Sequence, residues 1–161
     1  IIGSLRKLSL ADDTTLVLIA DDAAAPRYLG GIAGSSDAEN LRLVRRAVSD
    51  VVHLLGFDES ASQRIVLAVD EAVANVIRHA YRGSSEGRVE LSFWLDGDAL
   101  RFELRDFAEA IDFSKIRPRD LNDCRPGGLG INLIDSVMDC WCFSQPDDGF
   151  GNRLTMSKKL P

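Results

Sequence analysis

An acid, an amide, a guanidinium and an imidazole recur at close to one-turn spacing in Asp70-Glu71-Ala72-Val73-Ala74-Asn75-Val76-Ile77-Arg78-His79-Ala80-Tyr81. At about 100° per residue, Glu71, Asn75, Arg78 and His79 share a narrow sector of a helix. Ile65, Val66, Val69, Val73, Val76 and Ile77 gather on the opposite side. A carboxylate one turn before an amide suits proton acceptance beside a Mg²⁺ ligand, because Mg²⁺ takes oxygen donors shared between a few protein groups and substrate phosphates. The same spacing also describes an ordinary solvated helix face, so the stripe gains weight from what accompanies it.

Its companion is Arg125-Pro126-Gly127-Gly128-Leu129-Gly130, running directly into the apolar-periodic Ile131, Leu133, Ile134, Val137 and Met138. Glycines let backbone N–H groups approach an anion closely, and the helix that follows presents unpaired amides and a positive dipole end. No Lys-Ser/Thr follows, as a P-loop requires, and the third glycine of a dinucleotide fingerprint is missing. Between the two segments, strand-like runs from Arg88 to Leu95 and Ala99 to Arg105 flank Asp96-Gly97-Asp98, a hairpin signal. The second run delivers Asp106 to its end. An ionised Asp there can accept a hydrogen bond from an exocyclic amine such as that of adenine, or simply end a strand in a turn.

In order and spacing, DEAVANVIRHAY, LRDFAEAID and RPGGLGINLI resemble the N box and the two glycine boxes of the Bergerat-fold (GHKL) ATPases, specifically the anti-sigma-factor serine kinases. The resemblance covers residues 36–160. It implies that Glu71 is the general base for a protein serine hydroxyl, that Asn75 holds Mg²⁺ through the ATP phosphates, and that Asp106 reads adenine. It implies nucleotide contacts from Arg78, His79, Ala108, Ile111, Arg125, Gly127, Gly128, Gly130 and Thr155, with Lys115, Arg117 and Arg119 in an ATP lid. Ala108 departs from the Gly of the family's Asp-x-Gly, and an added methyl there is expected beside the purine. The implied cofactors are ATP and Mg²⁺. The implied partners are a STAS-type anti-anti-sigma protein as phosphoacceptor, a sigma factor, and a second copy of the chain. The alternative is a non-catalytic nucleotide- or protein-binding module on the same fold.

The elements that must position these residues follow a simple order. Ser36 and Glu39 make a capping box for a helix running to Leu55 and stopped by Gly56, with Leu41, Val44, Val48, Val51 and Val52 as its buried stripe. A second helix from Ser60 carries the first motif to Tyr81. The hairpin, a basic loop, a helix from Gly130 to Met138 and strands at 140–144 and 153–158 complete the pattern. Helices on one face of a mostly antiparallel sheet make an α+β two-layer sandwich.

At 161 residues and 45% hydrophobic content, the chain can form one main domain. A net charge of -6 argues against direct contact with nucleic acid, whose phosphates call for a basic face. With no apolar run of roughly 20 residues and no secretory signal, the expected location is cytoplasmic, away from membranes. Cys124, Cys140 and Cys142 make no even disulfide framework and are expected to be reduced packing residues; His53 is expected on a helix surface or in packing.

A chain that opens on Ile is expected to be part of something longer. Leu10-Ala11-Asp12-Asp13-Thr14-Thr15-Leu16-Val17-Leu18-Ile19 resembles the closing segment of bacterial PP2C-type serine phosphatases, with Asp12 as the matching metal ligand. The expected organisation is therefore a phosphatase-domain end at 1–20, a linker or weak first strand at 21–35, and the ATPase-like domain at 36–161.

Overall fold

The computed structural model describes residues 8–10, 14–16, 25–110 and 129–161. Leu8–Leu10 (β1) and Thr14–Leu16 (β2) pair antiparallel as a small ribbon that is not hydrogen-bonded into the main sheet. The main sheet has five strands, Arg27–Ser35 (β3), Arg88–Asp96 (β4), Ala99–Asp106 (β5), Cys140–Ser144 (β6) and Asn152–Lys159 (β7). Their spatial order is β3-β4-β5-β7-β6, every pair antiparallel.

Residues 27–35, glycine-rich and linker-like in sequence, are a nine-residue strand paired along β4. Gly31 serves packing, since a Cβ there would lie 2.8 Å from the Leu91 carbonyl oxygen and 2.9 Å from the Tyr28 hydroxyl, while Gly30 takes φ +151° at the register shift against β4. Composition alone reads such a segment as loose.

The first helix starts differently from the expected capping box. Asp37 caps a 3₁₀ turn at Ala38–Asn40 by accepting from the Glu39 N–H at 2.9 Å, and α1 follows at Leu41–Leu54. Ser36 is instead 1% exposed, donating to the Ser84 carbonyl and accepting from the Gly87 N–H at 2.9 Å. It fastens the end of β3 to the loop ahead of β4. Gly56, at φ +84°, ends α1 in the left-handed conformation that suits glycine.

Asp58 caps α2 (Glu59–Asn75) by accepting from the Ala61 N–H at 2.7 Å. The helix then widens into a π-turn at Val76–Ala80, closed by Tyr81 N–H to Val76 O at 3.2 Å. Leu129–Val137 form α3.

Strand alternation turns Val89, Leu91 and Phe93, with Phe102, Leu104 and Met156, toward the helices. They meet Val48 and Val52 of α1, Ile65, Val69 and Val73 of α2, and Ile134 and Val137 of α3 in one core. Each such side chain contributes about 1.5–3 kcal/mol on burial, which is why the helices hold to this face. The opposite face carries Glu90, Ser92, Arg101, Glu103, Arg105 and Arg153, all partly exposed. The result is the expected α+β two-layer architecture. Cys140 and Cys142 are free thiols on edge strand β6, and both are exposed rather than packed.

Candidate functional site

A cavity of about 360 Å³ opens between the layers. Ala72, Asn75, Val76, His79 and Ala80 wall it from the helix side; Leu104, Asp106, Asn152 and Leu154 from the sheet; Ile131 and Ile134 of α3 and Phe143 of β6 close it. Val76, expected on the apolar side of α2, packs against the core and also stands in this wall. The helix is covered on most of its circumference, so a mostly apolar cavity wall takes in the residue after Asn75, and the π-turn carries His79 and Ala80 over the same space.

Asp106 is the last residue of β5, on the helix-facing parity, and only 5% exposed. Its Oδ1 accepts from Asn152 Nδ2 at 2.8 Å and from the Ala108 N–H at 3.0 Å. Among the described residues nothing donates to Oδ2, which leaves that oxygen for a ligand in the cavity. Burial raises the Asp106 pKa, while the bonds from Asn152 and Ala108 act against the rise. A carboxylate so placed is a strong, oriented acceptor for an N–H donor that enters the cavity.

Ala108 fits without strain, because its φ is not positive, and it is not in the cavity wall. The extra methyl expected to crowd a purine therefore lies outside that wall, and the residue's contact with the site is through its backbone N–H.

Glu71 lies one turn before Asn75, outside the cavity wall and partly exposed. Arg78 Nη2 sits 3.4 Å from each of its carboxylate oxygens. The helix therefore divides the expected stripe in two: Asn75 and His79 face the cavity, and Arg78 pairs with Glu71 outside it. Thr155 belongs to neither group. It alternates with Leu154 and Met156 and points to the opposite face of the sheet, across from Glu103 and Cys142. Gly130 lies in the first turn of α3, beside the cavity-lining Ile131. Ile111, Arg125, Gly127, Gly128, the lid residues Lys115, Arg117 and Arg119, and Asp12 lie outside the described residues.

Asn152 is the site residue that motif reading missed. It is 2% exposed and also donates to the Glu109 carbonyl at 3.2 Å. Its parity with Leu154 and Met156 was visible in the sequence; its register opposite Asp106 was not.

A two-layer sandwich with a buried, amide-clamped carboxylate at one wall of an interlayer cleft and an asparagine-bearing helix at the other defines a class of ligand-binding domain. Residues 34–158 match the histidine kinase-like ATPase domain, and the chain belongs to that family, among the relatives of the serine-protein kinase RsbW. It is 28% identical over 145 residues to the serine-protein kinase RsbW of Oceanobacillus iheyensis, covering 85% of this chain and 82% of that one. It is 34% identical over 113 residues to that of Staphylococcus epidermidis, covering 65% and 71%. Among solved structures, the RsbU and RsbW domains of Rv1364c from Mycobacterium tuberculosis share the fold, with a TM-score of 0.58 at 20% identity. The match covers 84% of this chain and 32% of that one. Among the described residues, no helix is long and apolar enough to cross a membrane.

Proposed function

We propose that the chain is a Mg-ATP-dependent protein serine kinase of the anti-sigma type, whose phosphoacceptor is a STAS-type anti-anti-sigma protein. The observation that carries this reading is the Asp106–Asn152 pair. A buried carboxylate in the wall of a cavity of about 360 Å³, with one oxygen clamped and no described donor on the other, is suited to an exocyclic amine. The apolar walls from Val76, Ile131, Ile134 and Leu154 suit a purine ring. Names of relatives sharing 28% and 34% of residues support the kinase assignment.

In this reading Asp106 orients the base, and Asn75, an oxygen donor on the opposite wall, would hold Mg²⁺ with the phosphates. Bound there, Mg²⁺ would neutralise phosphate charge. Glu71, outside the cavity and reachable from solvent, accepts the proton of a serine hydroxyl as its Oγ bonds to the γ-phosphorus and the bond to the ADP oxygen breaks. Arg78 holds Glu71 until the acceptor arrives. The glycines at 127, 128 and 130 and Arg125 complete the phosphate contacts, and Ile111 adds to the purine side. The phosphoserine dianion then weakens the complex with its partner, releasing the chain to bind a sigma factor. A second copy of the chain completes the assembly. In this reading residues 1–20 are the end of a preceding phosphatase domain, as the resemblance of residues 10–19 implies.

Titration calorimetry with ATP, with and without Mg²⁺, tests the reading. Mg-dependent binding that is lost in Asn75→Ala is the expected result. No binding at millimolar ATP would overturn the kinase assignment and leave a protein-binding module.

A further inference from the structure

We propose that Arg105, on the face of the sheet turned away from the cavity, is a positioning residue for Asp106: it clasps the β6–β7 turn against Phe107 and thereby fixes the groups that hold the carboxylate. The proposal rests on the reading of Asp106 as the adenine acceptor. Consecutive strand residues point to opposite faces, so Arg105 and Asp106 act on different sides of the same strand.

Arg105 Nη2 donates to Asp148 Oδ2 and, at 3.3 Å, to the Phe150 carbonyl, while its guanidinium lies 4.4 Å from the Phe107 ring centroid. The other oxygen of Asp148 accepts from the Phe150 N–H at 3.1 Å, so one carboxylate both shapes the turn and takes the guanidinium. Apart from the buried Pro146, the turn is open to solvent: Gln145, Asp147, Asp148, Gly149 and Phe150 are all exposed, Phe150 at 72%. Beyond Pro146, the polar clasp is the contact that ties the tip of the turn to β5.

The chain that leaves the clasp arrives at Asp106 within two residues. Gly151, at φ +74°, lies so close that a Cβ would stand 1.9 Å from the Asp106 carbonyl oxygen. Asn152 follows and donates to the Asp106 side chain at 2.8 Å. Phe107, next to Asp106 on its other side, is held by Arg105, by Arg88 at 5.1 Å from the ring centroid, and by its own N–H to the Tyr81 hydroxyl at 2.8 Å. Freeing Arg105 therefore loosens Asp106 along the chain and through space together.

The test uses Arg105→Ala, Arg105→Lys, Asp148→Asn and Asp106→Asn in the whole chain, each checked for folding by its thermal transition. Two quantities are read: ATP and GTP affinities by calorimetry, and the titration of the Asp106 carboxyl by carbon-detected NMR without nucleotide. Arg105→Ala and Asp148→Asn are each expected to weaken ATP binding about three- to tenfold and to narrow its preference over GTP, the scale of one loosened hydrogen bond. Both should also shift the Asp106 titration upward, because the Asn152 bond that opposes the effect of burial is weakened. Arg105→Lys should recover part of each change, since a point charge reaches Asp148 without the planar stack on Phe107. Folded variants with unchanged ATP affinity and unchanged Asp106 titration would overturn the proposal. If Asp106→Asn itself leaves ATP binding intact, the adenine reading fails instead, and the nucleotide-free titration still decides the clasp.

Discussion

The two halves of the site are built from different materials. Glu71, Asn75, Arg78 and His79 all come from one helix within nine residues, and their spacing is a local property of the chain. Asp106 and Asn152 stand 46 residues apart and meet because β5 pairs with β7 in one register. The helical half contains a partly exposed acid, paired with a guanidinium that is itself half exposed. The strand half contains a buried acid whose pKa burial raises. The exposed half is suited to meeting a protein and passing a proton, and the buried half to recognising a small donor group without competition from water.

The sharpest way to break this division is to remove each acid and ask which property disappears. Glu71→Gln keeps shape and removes the base. It is expected to lower phosphotransfer about 10²–10⁴-fold while leaving ATP affinity within about twofold, as measured by radiolabel transfer and calorimetry. An equal loss of nucleotide binding would place Glu71 in the pocket rather than outside it.

Asp106→Asn is expected to have the next largest effect, weakening ATP binding about 10–100-fold, the scale of a charge-assisted hydrogen bond, and lessening discrimination against GTP. Acid provides a second handle on the same residue. Because the Asp106 pKa is raised, the carboxyl takes up its proton at a higher pH than an ordinary carboxylate and then ceases to accept from an amine. ATP affinity should therefore fall as pH is lowered, beginning above the usual carboxylate range, and Asp106→Asn should abolish that dependence. For stability the sign reverses: the folded state binds the extra proton, so the ionised Asp106 costs stability as pH rises from its unfolded to its folded pKa. Asp139, by contrast, is held down by its bonds from Lys158 Nζ and the Lys159 N–H. Its contribution is present above its unfolded pKa and is lost as pH falls through the lower folded value. Mild acid should accordingly empty the pocket before this contact at the far end of the sheet is released.

The same contrast explains what the sequence discloses. Periodicity located the motif helix, the hairpin and α3 because each depends on neighbours a few residues away, and Gly97, at φ +59°, turns the hairpin where Asp-Gly predicted. β3 reads ambiguously because Gly31 is explained only by the approach of Leu91 and Tyr28, and Gly30 only by the register shift against β4. Ser-x-x-Glu is a local pattern that predicts a cap at Ser36, yet its hydroxyl is bonded to residues 48 and 51 positions away. The family resemblance puts Thr155 in the site, but strand parity places it on the other face; the residue that does meet Asp106, Asn152, lies on the same strand at the opposite parity. A hydrogen-bonded pair across two strands leaves no periodic signal in either.

The mildest test concerns what anchors the helical half. Asp58 caps α2 through the Ala61 N–H, more than three turns ahead of Glu71. Asp58→Ala is expected to cost about 1 kcal/mol of stability in denaturant unfolding, the ordinary worth of an N-cap. It should leave ATP affinity and phosphotransfer unchanged, because Ile65, Val69 and Val73 lock the helix into the core between the cap and the site. A loss of phosphotransfer at unchanged ATP affinity would show instead that the cap's fraying reaches Glu71, and that the helical half is held from its N-terminus rather than by its packing.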